Sequence, residues 1–388
     1  MATGHLKSRE CADGTTSYQL TVETGRDPVT GKRQRYYKTV KGTKKQANAA
    51  LRQMIMNLQN GTVTTPSSIK LSTWMNTWLN SYLPNIEQTT RDGYEEKIKS
   101  YILPTLGHIP LNALNNQTIQ SWILNLSNQG LSPKTIRNAY NNLNAALKKA
   151  VVLRMLPYNP CDGTVLPRLQ RYNAQVYSIT DIQKALSAAD SVSIYMMILL
   201  GATIGLRRGE MAALRWDDVN FAKNSVTIST NRVHTKHRVI EKAPKTQAGN
   251  RTITVGADVM TTLREAKALY DDSVANTPGF KDLGYVLWNE KTGGPYHPDS
   301  LTQKWERFVT RNGLPVIRLH DLRHSNATAL IASGVSAKVV QHRLGHSDIG
   351  ITLNTYTHVL PSMDEDAANK LDQALFSCGQ ALNHLPTK

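Results

Sequence analysis

Cysteine is scarce in this chain: Cys11, Cys161 and Cys378 are the three in 388 residues. An odd number at such wide spacing builds neither a disulfide framework nor a zinc-ligand pattern, and it fits a reducing cytosol. Long apolar runs are lacking as well. The longest, about Ile194 to Leu206, is too short to span a bilayer and reads as a buried helix. Residues 1–14, MATGHLKSRECADG, hold no apolar stretch of the signal-peptide kind, so no secretory signal is expected. No internal repeat is visible. Acidic residues are the further shortage: 29 Asp+Glu stand against 46 Lys+Arg, a net charge of +17. Such a balance points to a polyanionic partner, nucleic acid first and anionic membrane second.

What is present is basic charge along the whole length. Residues 1–60 carry 11 Lys+Arg against 4 Asp+Glu, residues 61–170 carry 10 against 5, and residues 171–388 carry 25 against 20. A basic tail alone would leave the remainder neutral; this spread suggests several DNA-facing surfaces.

Length and a 40% hydrophobic content suit two or three domains. Residues 17–40 read as strands: Tyr18, Leu20 and Val22 alternate with polar residues, RDPVTGK turns, and RQRYYKTV returns. Thr43 and Gln46 form a capping-box pattern ahead of Ala47, Ala50, Leu51, Met54, Ile55 and Leu58 at helical spacing. Arg33, Arg35 and Lys38 beside Tyr36 and Tyr37 ordinarily mark a solvated strand face, yet the same alternation on a hairpin suits a DNA groove. A linker, TVTTPSSIKLS, leads to residues 70–155, which read as nearly all helical. Trp74, Trp78 and Trp122 fall on apolar stripes and read as core. Ser132 as N-cap and Pro133 behind it open a long helix to about Val151. Lys134 and Arg137 on it, with Lys148 and Lys149, are able to face phosphate, although each singly reads as solvated. A second linker spans 157–178, and Thr180 is expected to cap the next helix. The expected domains are 1–62, 68–156 and 173–388.

Four segments in the last region matter together. In GLRRGE, Gly205 breaks the apolar helix, Arg207 follows, and Glu210 stands where it can hold that arginine. APKTQAGNRTITV, residues 243–255, reads as a hairpin with Lys245 before a turn at Gly249-Asn250. In LHDLRHS, His320 and Arg323 are neighbours at the start of a helix, a suitable phosphate site, and His324 is a supporting or core histidine. In LGHSDIGITLNTYTHV, Gly345 ends one helix, Ser347 can cap the next, His346 lies between, and Tyr356 follows ten residues later. Each motif alone is ordinary: Tyr356 shares helical spacing with Ile349 and Leu353 and would read as core.

Together these segments resemble the signature of the tyrosine recombinase, or phage integrase, family, whose order is Arg, Lys, His-x-x-Arg, His, Tyr. Here that order is Arg207, Lys245, His320, Arg323, His346 and Tyr356, with the local contexts GLRRGE, PKT, HDLRHS, LGHS and Thr-Tyr-Thr-His matching too. The resemblance extends over nearly the whole chain. Residues 70–155, including LSPKTI, look like the family's core-binding domain, and residues 1–60, with DPVTGKRQR, resemble the arm-binding domain of longer integrases. The fold implied is multidomain and mainly α with small β elements: a β-sheet-plus-helix module, an all-α core-binding domain and an α+β catalytic domain.

The resemblance implies cleavage and rejoining of double-stranded DNA attachment sites through a 3′-phosphotyrosyl intermediate, in the cytoplasm of a bacterial host. It implies a homo-tetramer on synapsed DNA and, commonly, a DNA-bending protein and an excision directionality factor. It also implies docking of a helix at about 364–376 onto a neighbouring protomer. The residue chemistry suits this. Two guanidiniums, Arg207 and Arg323, can meet the charge on the non-bridging oxygens, with His346 as a further donor. His320 can accept the phenolic proton of Tyr356, and Lys245 can protonate the leaving 5′ oxygen. Neither metal nor ATP is required, because the ester conserves the bond energy. Three alternatives stay in view. A metal-dependent nuclease would use His320/His324 and His342/His346, each four apart, but HDLRH lacks the glutamate of HExxH and no acidic cluster stands ready. A DNA-binding regulator needs no Tyr, Lys and paired Arg in this order. A type IB topoisomerase shares the chemistry but does not need separate N-terminal DNA readers.

Overall fold

The computed structural model describes residues 3–10, 16–26, 33–59, 69–169, 175–244, 246–345, 347, 371 and 373. The chain divides into two compact units, Met1–Arg171 and Tyr172–Lys388. The expected architecture, mainly helical with small sheets, is what is found.

The first unit opens with three antiparallel strands in the order β1 (Thr3–Glu10), β2 (Thr16–Arg26) and β3 (Arg33–Lys41). The strand β1 was not expected. Its sequence, TGHLKSRE, offers Leu6 alone to the core, so no alternation announces it; backbone pairing with β2 makes it a strand. Helix α1 (Lys44–Gln59) covers the sheet through Ala47 and Leu51 on Leu20 and Val22. Its capping box is formed: Thr43 N donates to Gln46 Oε1 at 2.9 Å, and Gln46 N to Thr43 Oγ1 at 3.3 Å.

The rest of this unit is helical. Helix α2 (Leu71–Thr77) continues through a π-helical turn, Trp78–Tyr82, and α3 (Gln88–Lys97) through another, Ile98–Ile102, into α4 (Leu103–Leu106). Then come α5 (Asn116–Asn128) and α6 (Pro133–Val152). Ser132 Oγ accepts from Thr135 N at 3.1 Å, the N-cap that the sequence announces, contributing about 1 kcal/mol. Trp74, Trp78 and Trp122 are core residues. Two of their indoles also anchor the bundle, Trp74 Nε1 donating to Ala146 O at 3.0 Å and Trp122 Nε1 to Tyr101 O at 2.8 Å.

The second unit starts with α7 (Ile179–Ala188). Its cap is Ser178, two residues before the expected Thr180. Ser178 Oγ accepts from Asp181 N while Asp181 Oδ2 accepts from Ser178 N, a reciprocal pair that Thr180 cannot form from inside the helix. The apolar run folds into α8 (Val192–Leu199) and a π-helical turn, Leu200–Ile204, almost wholly buried. No helix among the described residues is long and apolar enough to cross a membrane. Gly205, at φ 75°, ends the run, and α9 (Arg208–Ala213) starts beyond Arg207.

Strands β4 (Val219–Asn220), β5 (Ser225–Ile228), β6 (Asn231–His234), β7 (Val239–Lys242) and β8 (Arg251–Thr254) follow. They form a sheet β4-β5-β8 and a separate hairpin β6-β7. Residues 243–255 are therefore not a hairpin: β8 pairs with β5, and the preceding Gln247–Gly249 is a 3-10 turn. Helices α10 (Ala257–Asn276), α11 (Pro298–Arg311), α12 (Asp321–Ala332) and α13 (Ala337–Leu344) complete the described part. Helix α12 buries Leu322 in the main core, and Gly345 at φ 62° closes α13 as expected.

Candidate active site

Glu210 sits on α9 with its side chain 3% exposed, and a carboxylate so buried requires partners. It has them on both oxygens. Arg207 Nη1 donates to Oε1 at 2.7 Å and Arg207 N to Oε2 at 2.9 Å. Arg251, at the head of β8, donates from Nη1 to Oε1 at 3.2 Å and from Nη2 to Oε2 at 3.0 Å. Arg323 Nη1 lies 4.0 Å from Oε2. Burial pushes the Glu210 carboxyl up, but hydrogen bonds and charge from Arg251, then from Arg207, outweigh it and hold the group at about 2.

Backbone carbonyls fix the same guanidiniums. Arg323, 1% exposed, donates from Nη1 to Gly205 O at 2.6 Å and from Nη2 to Leu344 O. Arg207 Nη2 donates to Gly345 O at 2.9 Å, and Arg251 Nε to Arg343 O at 2.7 Å. The ends of the α8 run and of α13 thus converge on one cluster. Arg207 alone of the three keeps a substantial open face, 35% of its side chain. Arg323 is more enclosed than a guanidinium open to phosphate was expected to be.

His320 forms the N-cap of α12, one turn before Arg323. The residue is exposed to solvent, although His324 packs against its ring on one side. That crowding, with the charges of His324 and Arg323 and against the pull of Asp321, pushes its pKa down to about 4. His324 packs edge-on at 5.1 Å between ring centroids and is lowered too, by burial. Buried Asp321 holds the helix start in place, taking Arg318 Nη2 at 2.7 Å, Nε at 3.0 Å and the Arg318 backbone N at 2.9 Å.

Of the residues singled out in sequence, Arg207, Glu210 and Arg323 come together, with His320 and His324 on the same helix as Arg323. Lys245, His346 and Tyr356 lie outside the described residues, as do nearly all of 364–376 and the Arg33 side chain. Among the basic residues read as DNA-facing, Lys38 and Lys134 are exposed, Arg35 is ion-paired with Glu23 across the sheet, and Arg137 donates from Nε to Pro167 O at 2.8 Å. Arg251 was missed. Its signal was available: it shares the inward face of β8 with Ile253, and an arginine at an inward strand position demands a buried anion.

Among the described residues, His234, His297 and Asp299 bring possible metal-ligand atoms within 4.8 Å of one another. Several of these atoms already have partners. Arg208 Nη1 lies 2.8 Å from Asp299 Oδ1, His234 Nδ1 3.1 Å from Oδ2, and His297 Nδ1 accepts from Asp299 N at 3.2 Å. The guanidinium neutralises the carboxylate that a cation would need, so the group acts as a clamp of β6 on α11.

Comparison with known proteins gives a consistent result. A model described as "Phage integrase family" matches residues 172–363, and one described as "Phage integrase, N-terminal SAM-like domain" matches residues 70–127. The chain is 30% identical to a tyrosine recombinase XerC-like protein of Caldanaerobacter subterraneus subsp. tengcongensis, over 94% of this chain and 98% of that one. It is 26% identical to the ICEBs1 integrase of Bacillus subtilis, over 92% and 97%. Among solved structures, the Tn1549 transposon integrase in complex with a circular intermediate DNA superposes with a TM-score of 0.66 at 20% identity, covering 77% of this chain and all of that one. A lambda integrase tetramer bound to a Holliday junction superposes with a TM-score of 0.57 at 18% identity, covering 90% and 94%.

Proposed function

The chain belongs to the phage integrase family of tyrosine recombinases, enzymes that cut and rejoin DNA, and we propose that it does so site-specifically, to integrate and excise a mobile element. Relatives named for a conjugative element, a staphylococcal phage and a transposon support that setting. The carrying observation is the Arg207–Glu210–Arg323 cluster beside His320 at the start of α12, which concentrates positive charge around one point.

In this reading Tyr356 attacks the scissile phosphorus and forms a 3′-phosphotyrosyl bond, while the 5′ oxygen departs. Arg207 meets the non-bridging oxygens with its open face, Arg323 and His346 complete the charge around them, and Glu210 orients Arg207. His320, neutral at physiological pH, takes the phenolic proton, with His324 packed against it. Lys245 protonates the leaving 5′ oxygen. A 5′-hydroxyl of a second strand then attacks the ester and reverses each step, so no metal or nucleotide enters.

The proposed division is an arm-binding module at 1–62, a core-binding domain at 68–156 and a catalytic domain at 173–388. Arg33, Arg35, Lys38, Lys134 and Arg137 contact DNA phosphates. Four copies act on synapsed attachment sites in the cytoplasm of a bacterial host, with a DNA-bending protein and an excision directionality factor as helpers.

A substrate with a 5′-bridging phosphorothiolate tests the roles, because its sulfur leaves without an acid. Lys245→Ala should be slow on ordinary DNA and restored on this substrate, whereas Arg207→Ala and Arg323→Ala stay slow on both. Equal slowness of Lys245→Ala on both substrates would remove it as the acid.

A further inference from the structure

An open guanidinium is useful to a phosphate only if its charge is not already spent. Arg207 shares the Glu210 carboxylate through two hydrogen bonds, and one carboxylate can neutralise one guanidinium. Arg251 changes that balance. It is 1% exposed, and it takes both oxygens of Glu210 in a forked contact. Two further donors go to Gly249 O at 3.1 Å and Arg343 O at 2.7 Å. One buried side chain therefore joins α9, the turn that follows Lys245 in sequence, and the end of α13 next to His346.

The packing leaves little freedom around it. A Cβ on Gly345 would lie 2.6 Å from Ala248 O and 3.1 Å from Arg251 Nη1, so the α13 end and the turn before β8 meet directly at this guanidinium. Glu210 is held ionised by Arg251 first and Arg207 second. Counted together, Arg207, Arg251 and Arg323 set three positive charges against the one negative charge of Glu210.

We propose that Arg251 is a positioning residue of the recombination site, the buried counter-cation of Glu210 that leaves the charge of Arg207 available to the scissile phosphate. The inference rests on the reading of Arg207 as a phosphate contact. It assigns to Arg251 no contact with DNA. It distinguishes two jobs for one carboxylate: Glu210 aims Arg207, and Arg251 keeps that aim from cancelling the charge it directs.

The test compares cleavage of a nicked duplex carrying an ordinary scissile phosphate with one carrying a neutral methylphosphonate there, in which a methyl group replaces one non-bridging oxygen. On phosphate, Arg251→Met should slow adduct formation roughly tenfold to a hundredfold, with core-site affinity unchanged. On the methylphosphonate it should approach the wild-type rate, because less negative charge has to be met. Arg251→Lys should fall between, and Arg251→Met combined with Glu210→Gln should be faster on phosphate than Arg251→Met alone. Rescue on the neutral substrate uses the same protein, so it separates a charge effect from misfolding. If Arg207→Ala is rescued and Arg251→Met is equally slow on both substrates, Arg251 is a packing residue and the inference fails while Arg207 keeps its role. If neither is rescued, the reading of Arg207 fails and takes the inference with it. A double variant slower than Arg251→Met alone also overturns it.

Discussion

An imidazole can accept a proton only when it does not already hold one. His320 meets that condition at neutral pH, because crowding and the neighbouring His324 and Arg323 charges lower its pKa to about 4. The same shift affects folding. The unfolded imidazole titrates near 6.5, so between about pH 6.5 and 4 the unfolded chain binds more protons than the folded one, and stability declines as pH falls through that window. Glu210, depressed from 4.5 to about 2, adds a second loss between those values. Urea unfolding of the wild type and His320→Gln across pH 4–7 should show the variant with the flatter curve; parallel curves would mean that His320 is not perturbed. Glu210 also has a structural share. Glu210→Leu leaves buried Arg251 and Arg323 without their carboxylate and should cost about 3–5 kcal/mol in the same measurement. A cost below about 1 kcal/mol would show that the cluster relaxes into water.

At the scale of elements, the site depends on chain ends that only glycine can make. Gly205 combines φ 75° with a crowded position: a Cβ would fall 2.7 Å from Leu344 Cδ2 and 2.9 Å from Asn326 Oδ1. Asn326 meanwhile donates to Ala202 O at 2.9 Å and Thr203 O at 3.0 Å, tying α12 to the turn that Gly205 ends. Gly205→Ala should therefore lose about 1–3 kcal/mol and also move the carbonyl that fixes Arg323, so cleavage should fall by more than stability alone explains. Cleavage at the wild-type rate in this variant would detach the carbonyl from the function. Elements of this kind divide by how far their cause reaches. The Thr43–Gln46 and Ser132–Pro133 helix starts and the glycine stops at 205 and 345 are legible in sequence because their partners are within a few residues. The partner of β8 is β5, across an intervening hairpin, so the 243–255 segment looks locally like a hairpin it does not form. Strand β1 was invisible for a related reason, since its pairing with β2 rather than its own side chains makes it. Within the site the pattern is the same. Arg207, Glu210 and Arg323 stand out through spacing and family order, while Arg251 depends on a carboxylate 41 residues away.

On the scale of the whole molecule, basic charge is densest in residues 1–60, with a net of +7 that includes exposed Lys38 on the small sheet. If residues 1–62 act as the proposed arm-binding module, that charge lets them bind DNA separate from the cleavage site, with affinity that falls steeply as salt rises. Deleting residues 1–62 should leave cleavage of a short core duplex intact and abolish recombination of a long site with flanking arms. Footprints of the full-length protein confined to the crossover region would reject a second binding site.

The family, the converging arginines and the neutral histidine all lead to one event, a covalent bond between this chain and DNA. It can be measured directly on a nicked suicide duplex in EDTA, from which the cleaved fragment diffuses away and traps the adduct. The wild type should form a covalent complex whose DNA-linked peptide carries the modification on Tyr356, and Tyr356→Phe should bind the same duplex and form none. An adduct that persists in the Phe variant, or that maps to another residue, would contradict the assignment.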